Sequence, residues 1–259
     1  MTVAVDAERA RWRSWVRRWD AQQELYIEQR ERVFTVMLNL LDHLVGDDIA
    51  VLDLAAGTGA ISARLLARRP QARSVAVDVD PVLLHLGRHA HGDLDGRLRW
   101  VKADLTDPGW VDELGQGRFD AALSATATHW LRPPELAELY RRLATLLVPG
   151  GVLLNADHLP LPPHLHRITK ALRDEDERRQ EAADAAGAET WEGWWDALRA
   201  EPALADAFAE RDRVFPPGVR RDGRSPDLAF HEAALTQAGF TEVGVVWQDL
   251  DERLLLALR

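Results

Sequence analysis

Apolar and polar positions follow one pattern before residue 46 and another after it. Between residues 7 and 45 charged side chains separate apolar ones at helical spacing, and no proline interrupts them. Trp12, Trp19 and Tyr26 recur every seven residues, which places them on one helical face. The pattern predicts two helices that end before Gly46.

After that point, short apolar runs alternate with helical stretches. Such runs cover the ranges 49–54, 74–80, 97–105, 119–125 and 149–157, and most end in glycine, an acid or a polar turn. Strands separated by helices of this length indicate βαβ units and a parallel sheet buried on both faces. Two final runs, 241–250 and 252–259, are nearly adjacent, which predicts an antiparallel hairpin at the sheet edge.

The sequence between residues 160 and 226 interrupts this alternation. It opens with three prolines, continues with charged helical sequence and ends in a stretch rich in proline, glycine and arginine. We therefore predict an α/β fold with a seven-stranded mixed sheet. Its parts are N-terminal helices over 1–46, a core over 47–159, a helical cap insertion over 160–226, and a terminal helix and hairpin over 227–259.

Composition narrows the class of protein. The 259 residues include no cysteine, which excludes disulfides, thiolate metal sites and a cysteine nucleophile. A formal net charge of −10 disfavours nucleic-acid substrates, because the protein and the phosphate backbone repel each other. No apolar run approaches the ~20 residues needed to span a membrane. The N-terminus has no apolar signal segment, so the expected location is cytoplasmic.

A glycine turn after the first predicted strand carries the strongest functional signal. Gly57, Thr58 and Gly59 follow the apolar run and open a helix, where a tight turn and free N–H groups cradle a nucleotide-like ligand. Asp78 ends the next strand, 19 residues after Gly59, where a carboxylate accepts hydrogen bonds from a ribose. The order and spacing of these features predict a nucleoside-binding site.

Two kinds of cofactor compete for such a site. A dinucleotide fingerprint requires a third glycine, and the sequence from Gly57 reads G-T-G-A-I-S. Asp53 also lies in the strand, four residues before Gly57. A carboxylate repels a pyrophosphate and attracts a sulfonium or ammonium group. The residues therefore favour a cationic ligand over NAD.

The stretch V-L-D-L-A-A-G-T-G at 51–59 resembles the first motif of the class I, Rossmann-like S-adenosylmethionine-dependent methyltransferases. The resemblance extends over residues 49–157, with Ala55 where the family usually has glycine. It implies S-adenosylmethionine as cofactor, S-adenosylhomocysteine as product, and a sheet whose last strand is antiparallel. Besides Asp53 in the first strand, it implies contacts with the cofactor from residues at or just after the strand ends: Ala55, Asp78, Val79, Asp104, Leu105 and Ser124.

Histidines near the ends of predicted strands are candidates for catalysis. His129 and Trp130 follow the fourth strand, at the edge where open α/β sheets bind ligands. An imidazole titrates near neutral pH, so His129 is a candidate general base, and the alternative is packing or capping. His158, after the fifth strand, is a second candidate base. His231, at the start of the last helix, is a candidate for the substrate pocket.

Tryptophans cluster in the cap insertion. Trp191, Trp194 and Trp195 follow the spacing of a buried helix face, which by itself predicts core packing. In the resembling family, insertions at this point and N-terminal helices form a lid over a small substrate. We therefore assign these three residues, with Trp130, to the substrate pocket, and Tyr26 and Arg30 to the carboxylate of the cofactor.

The sequence thus predicts a cytoplasmic enzyme that methylates a small molecule on oxygen, nitrogen or carbon, as a monomer or homodimer. No metal is expected, because His85, His89 and His91 have no carboxylate partner at metal-site spacing. One alternative is a methyltransferase acting on tRNA or rRNA. A second is a protein that binds S-adenosylmethionine without methylating: a regulator, a cyclase or a decarboxylase.

Overall fold

A computed structural model of the chain describes residues 2–115, 117–216 and 226–259. The Pro-Gly-Arg-rich end of the predicted insertion, 217–225, lies outside the described residues. Within these ranges the α-helices are α1 Thr2–Tyr26, α2 Arg30–Leu44, α3 Ala60–Arg68, α4 Pro81–His91, α5 Pro133–Leu146, α6 His166–Ala185, α7 Trp191–Arg199, α8 Ala205–Val214 and α9 Leu228–Ala238. The strands are β1 Ala50–Leu54, β2 Arg73–Asp78, β3 Leu98–Lys102, β4 Phe119–Ala125, β5 Leu147–His158, β6 Glu242–Asp249 and β7 Glu252–Leu258.

The seven strands form one mixed sheet in the order β3-β2-β1-β4-β5-β7-β6. Strands β1 to β5 pair in parallel, and β7 pairs antiparallel with both β5 and β6. Leu250 and Asp251 form the turn between the last two strands. The predicted fold class, including the antiparallel last strand and the edge hairpin, is confirmed.

Helices cover both faces of the sheet, because the strands that form its centre are apolar on both sides. On one face α5 and α9 bury Leu139, Leu143 and Leu235 against the sheet. On the other face α2 and α3 bury Met37 and Leu65. The second N-terminal helix is therefore a layer of the core domain, packed directly on the strands.

A third apolar cluster joins α1 to α4, α7 and α8, apart from the sheet. Trp194 lies at its centre, fully buried, with its ring centroid 4.7 Å from that of Trp19 and 6.2 Å from that of Trp15. The prediction that Trp194 lines the substrate pocket is wrong, because α7 turns this side chain into the helix–helix interface. Together, α1 and the cap insertion form one helical unit beside the sheet.

Close packing against Trp100 requires glycine at position 87 of α4. A Cβ atom at Gly87 would lie 2.3 Å from Cη2 of Trp100 and 2.9 Å from the carbonyl oxygen of Thr58. We expect Gly87→Ala to destabilise the protein by about 1–3 kcal/mol in urea unfolding, because an added methyl group in a filled site forces its neighbours apart. Gly46→Ala is the control, since no atom lies within 4 Å of its added Cβ. Equal stability of the two variants would contradict this packing.

Candidate functional site

A cavity of about 1120 Å³ opens at the carboxyl ends of β1, β2 and β4. The strand order reverses between β1 and β4, and such a switch point is where open α/β sheets bind ligands. The helical unit of α1, α7 and α8 supplies the opposite wall through Trp19, Trp195 and Arg211. The predicted site residues that line it are Tyr26, Arg30, Asp53, Ala55, Gly57, Thr58, Asp78, Val79, Asp104, Leu105, Ser124, His129, Trp130, His158, Trp191 and Trp195.

The glycine turn lies at the floor of this cavity. Gly57 has φ +56° and Ala55 has φ +51°, both in the left-handed region. An alanine there costs about 1–2 kcal/mol relative to right-handed backbone. Such strain is typical of backbone held in place at a binding site.

Gly59 does not reach the cavity wall. It precedes α3 with φ +81°, and a Cβ at this position would lie 2.4 Å from the Trp100 ring. The sequence predicts that Gly59 contacts the cofactor, but the structure gives it a role in the turn itself, where close packing against Trp100 requires glycine.

Asp53 is a buried carboxyl group with one unused oxygen. Its Oδ2 accepts hydrogen bonds from the backbone N–H of Ser62 at 3.0 Å and from the Ser62 hydroxyl at 2.6 Å. Its Oδ1 has no hydrogen-bond partner. Burial raises the pKa of Asp53 to about 7. The hydrogen bonds from Ser62 lower this pKa and offset only part of the effect of burial. An unpaired oxygen in the cavity wall fits a cationic ligand group.

Asp78 connects the glycine turn to the end of β2. Its Oδ2 accepts from the backbone N–H of Gly57 at 2.7 Å, and its Oδ1 accepts from that of Asp80, also at 2.7 Å. Burial raises the pKa of Asp78 to about 6, although these hydrogen bonds act in the opposite direction. The carboxylate is fixed at the strand end, as a ribose-binding acid requires.

His129 and Asp157 form a hydrogen-bonded pair at the ends of β4 and β5. The Nδ1 of His129 donates to Oδ1 of Asp157 at 2.6 Å, and Oδ2 accepts from the Thr128 hydroxyl at 2.6 Å and from the His129 backbone at 2.9 Å. Burial acts to raise the pKa of Asp157, but the bonds from His129 and Thr128 outweigh it and lower the pKa below its ordinary value. An ionised Asp157 holds the proton on Nδ1 and leaves the lone pair of a neutral His129 on Nε2.

The sequence predicts both strand ends but not this pairing. The sequence signal that comes closest to it is the position of His129 just after one apolar run and of Asp157 at the end of the next. In the structure these two runs are neighbouring strands, and the register of β4 on β5 brings Ala125 opposite Ala156. His158, the second candidate base, also lines the cavity, with its Nδ1 3.9 Å from a carboxylate oxygen of Asp251. The short contact to an ionised acid makes His129 the better-positioned base.

His231 does not reach the cavity. It is fully buried on α9, and its Nδ1 lies 2.7 Å from the hydroxyl of Tyr140 on α5. Burial lowers the pKa of His231 and so favours the neutral ring. The predicted role of His231 in the substrate pocket is wrong, because α9 packs this side of the helix against α5.

The cap insertion contributes a residue that the sequence did not single out. Arg211 on α8 donates to a carboxylate oxygen of Asp80 at 2.7 Å and lies 3.8 Å over the ring of Trp195. Arg30 on α2 is buried and forms an ion pair with Asp20 at 2.9 Å, while its Nη1 has no hydrogen-bond partner. Both arginines line the cavity.

Comparisons with known proteins identify the kind of domain. Residues 51–151 match a family model described as a methyltransferase domain. The chain is 35% identical over 137 residues to a trans-aconitate 2-methyltransferase of Azoarcus sp. (strain BH72), covering 52% of this chain and 49% of that protein. It is 36% identical over 116 residues to the ubiquinone/menaquinone biosynthesis C-methyltransferase UbiE of Dinoroseobacter shibae, covering 43% of each. The chain thus spans about half the length of these relatives or less.

Solved structures share the fold. Magnesium protoporphyrin IX methyltransferase from Synechocystis PCC 6803, with bound SAH, aligns with a TM-score of 0.57 at 15% identity, over 100% of this chain and 99% of that one. An O-methyltransferase family protein from Burkholderia thailandensis aligns with a TM-score of 0.54 at 21% identity, over 88% and 56%. In the described part of the chain, no helix is long and apolar enough to cross a membrane.

Proposed function

We propose that this chain, which belongs through residues 51–151 to the class I, Rossmann-like family of S-adenosylmethionine-dependent methyltransferases, transfers a methyl group from S-adenosylmethionine to a small-molecule acceptor. The observation that carries the proposal is the unpaired oxygen of Asp53 beside the glycine turn, in a cavity that Asp78 also lines. Carboxylates at these two places suit a ligand with a ribose at one end and a cation at the other.

The cavity wall offers a place for each part of the cofactor. Asp78 would accept the ribose hydroxyls, and Asp53 would face the cationic methionyl part. The Nη1 of Arg30, which has no hydrogen-bond partner and lies 3.6 Å from a carboxylate oxygen of Glu31, would hold the carboxylate of the cofactor. Val79, Asp104 and Leu105 line the side next to Asp78, where the resemblance puts the adenine. S-adenosylmethionine, when bound, supplies an electrophilic methyl group.

The chain's own contribution to the reaction is positioning and proton removal. A cavity that fixes the line of approach supplies several kcal/mol towards methyl transfer. His129 would take a proton from the acceptor at Nε2, and Asp157 would orient the ring and stabilise its charged form. Asp157 acts through His129 and is a positioning residue.

The substrate of the trans-aconitate relatives is a second candidate acceptor, and the charges in the cavity disfavour it. Among the described lining residues the arginines are Arg30 and Arg211, each already paired with an acid. Aspartates 53, 78, 80 and 104 line the same space. A tricarboxylate would meet net repulsion here. The acidic surroundings and the helical cap likewise disfavour tRNA or rRNA as substrate.

Binding measured at two pH values tests the proposed cofactor. With a pKa of about 7 for Asp53, roughly one tenth of the free protein carries the ionised carboxylate at pH 6 and roughly nine tenths at pH 8. The affinity for S-adenosylhomocysteine, which keeps the ammonium group, is therefore expected to rise about tenfold between these values in calorimetry. The dissociation constant at pH 8 should be micromolar, roughly −8 kcal/mol.

Asp53→Asn is the matched variant for this measurement. It keeps the shape of the side chain and cannot ionise, so most of the rise in affinity should disappear. The raised pKa also means that the folded protein binds this proton more tightly than the unfolded chain does. The contribution of Asp53 to stability therefore falls as pH rises from about 4 to 7, and the variant loses that contribution. Tight binding of NAD with no binding of S-adenosylhomocysteine would contradict the proposal.

A further inference from the structure

We propose that the acceptor is a flat, uncharged aromatic compound that is methylated on a hydroxyl group, an inference that rests on the proposed function. Two separate parts of the cavity wall carry it. One is a set of three tryptophans contributed by α1 and α7, here called the aromatic wall: Trp19, Trp191 and Trp195. The other is His129, which lines the cavity and is hydrogen-bonded to the buried Asp157 behind it.

The aromatic wall is a preformed surface for a planar ring. The centroid of Trp19 lies 5.3 Å from that of Trp191 and 6.0 Å from that of Trp195, and the latter two are 5.9 Å apart. The two contacts of Trp195 are edge to face, with interplanar angles of 78° and 61°, and the contact of Trp19 with Trp191 is tilted at 52°. Rings packed in this way present a rigid surface at low cost in side-chain entropy. Its open part is Trp191, since Trp19 is buried and Arg211 lies over the ring of Trp195.

Two tryptophans that line the cavity are also exposed to solvent. Trp191 is 39% exposed, and Trp130, next to His129 in the chain and also in the cavity wall, is 54% exposed. The rings of His129 and Trp130 have centroids 4.9 Å apart, so the candidate base is itself flanked by an indole. Large apolar side chains exposed in a concave site are typical of ligand-binding surfaces.

The volume of the cavity leaves room for an acceptor beside the cofactor. Single ligand sites occupy roughly 300–1000 Å³, and this cavity has about 1120 Å³. Because Arg30 is assigned to the carboxylate of the cofactor and Arg211 is paired with Asp80, neither arginine of the described wall is left for a charged acceptor, which favours binding by apolar contact. An uncharged ring system satisfies this condition, and a polycarboxylate does not.

The His129–Asp157 pair identifies the attacked atom as one that gives up a proton. A hydroxyl oxygen becomes a strong nucleophile when its proton is removed, whereas a neutral amine attacks with its own lone pair and needs no base. In the proposed step the hydroxyl proton passes to Nε2 of His129 and the oxygen forms a bond to the methyl carbon. The carbon–sulfur bond of the donor breaks, its electron pair stays on sulfur, and the sulfonium becomes a neutral thioether.

Binding of small probes to the protein loaded with S-adenosylhomocysteine tests the inference without turnover. The probes are 1-naphthol, its amine analogue 1-naphthylamine and trans-aconitate, each titrated by calorimetry. We expect 1-naphthol to bind and trans-aconitate to give no heat of binding. With S-adenosylmethionine present, 1-naphthol should yield its methyl ether, and 1-naphthylamine should react at least tenfold more slowly.

Variants of the aromatic wall show where the probe binds. Trp191→Leu keeps apolar bulk without the flat ring and should weaken 1-naphthol binding roughly threefold to tenfold. Trp191→Phe should restore most of the affinity. Trp247→Leu is the control, since this tryptophan lies on β6 and does not line the cavity. Affinity for S-adenosylhomocysteine should be the same in all three variants.

Other results separate this inference from the proposed function. If S-adenosylhomocysteine binds but 1-naphthol does not, or if trans-aconitate binds as tightly as 1-naphthol, the proposal of an aromatic acceptor is wrong. The proposed methyltransferase activity is not contradicted by either result. Faster methylation of 1-naphthylamine than of 1-naphthol would overturn the assignment of a hydroxyl group as the methylated group. If S-adenosylhomocysteine itself does not bind, both proposals fall.

Discussion

Replacing His129 by alanine is expected to lower kcat by about 10²–10⁴-fold while leaving the affinity for S-adenosylhomocysteine unchanged. The imidazole lines the cavity with its Nδ1 held by Asp157, so its removal takes away the group that accepts the proton of the acceptor. The rate of methyl-ether formation from 1-naphthol, measured at saturating donor, reports the loss.

The pH dependence of the rate distinguishes a base from a packing residue. In the wild type, kcat should rise with pH as His129 loses its proton, because only the neutral ring has a free lone pair on Nε2. His129→Ala should abolish this rising limb. His43→Ala, an exposed change on α2 outside the cavity, is the control and should behave as wild type. A His129→Ala protein with wild-type kcat at every pH would remove this residue from the mechanism.

The second large effect is expected for Asp157→Asn, which should reduce kcat by about 10²–10⁴-fold with little change in KM. The Asp157 carboxylate accepts hydrogen bonds from the Thr128 hydroxyl and from the ring and backbone of His129. It also accepts one from the backbone N–H of His158 at 2.9 Å. An amide has only one acceptor oxygen, so it cannot keep all of these donors or stabilise a charged imidazole. The ring then loses its fixed tautomer.

Spectroscopy separates this effect from a loss of structure. The Nδ1–H resonance of His129 in the proton NMR spectrum should shift or disappear in Asp157→Asn, because the hydrogen bond to the carboxylate is lost. Asp251→Asn, in the turn between β6 and β7, is the matched control and should leave that resonance unchanged. Thermal unfolding shows what share of the change in kcat comes from a loss of stability. An unchanged Nδ1–H resonance together with wild-type kcat would contradict a positioning role for Asp157.

Features encoded by neighbouring residues could be predicted from the sequence. The turn at Gly57 and the carboxyl groups of Asp53 and Asp78 each lie beside a strand end that an apolar run marks. Parallel strands bring their carboxyl ends to one edge, so these groups meet without any further information. The confirmed seven-stranded mixed sheet follows from the same alternation of strands and helices.

Features that depend on helix rotation and on contacts between distant elements could not be predicted. Trp194 and Trp195 are neighbours on α7, yet only the second lines the cavity. Both side chains belong to the single apolar face of this helix, so periodicity does not tell the part of that face that packs on α1 from the part that lines the cavity. His231 fits the pattern of a polar residue at a helix start, and only its contact with Tyr140 shows that it is buried.

Transfer of a labelled methyl group tests the central claim most directly. The protein is incubated with S-adenosylmethionine carrying a ¹³C-methyl group and with 1-naphthol, and the products are separated and examined by mass spectrometry. The structure predicts a labelled methyl ether and S-adenosylhomocysteine in equal amounts, both nearly absent with His129→Ala. Binding of both compounds without label in any product would mean that the chain is not a methyltransferase for this class of acceptor. Consumption of S-adenosylmethionine to anything other than S-adenosylhomocysteine would contradict methyl transfer altogether.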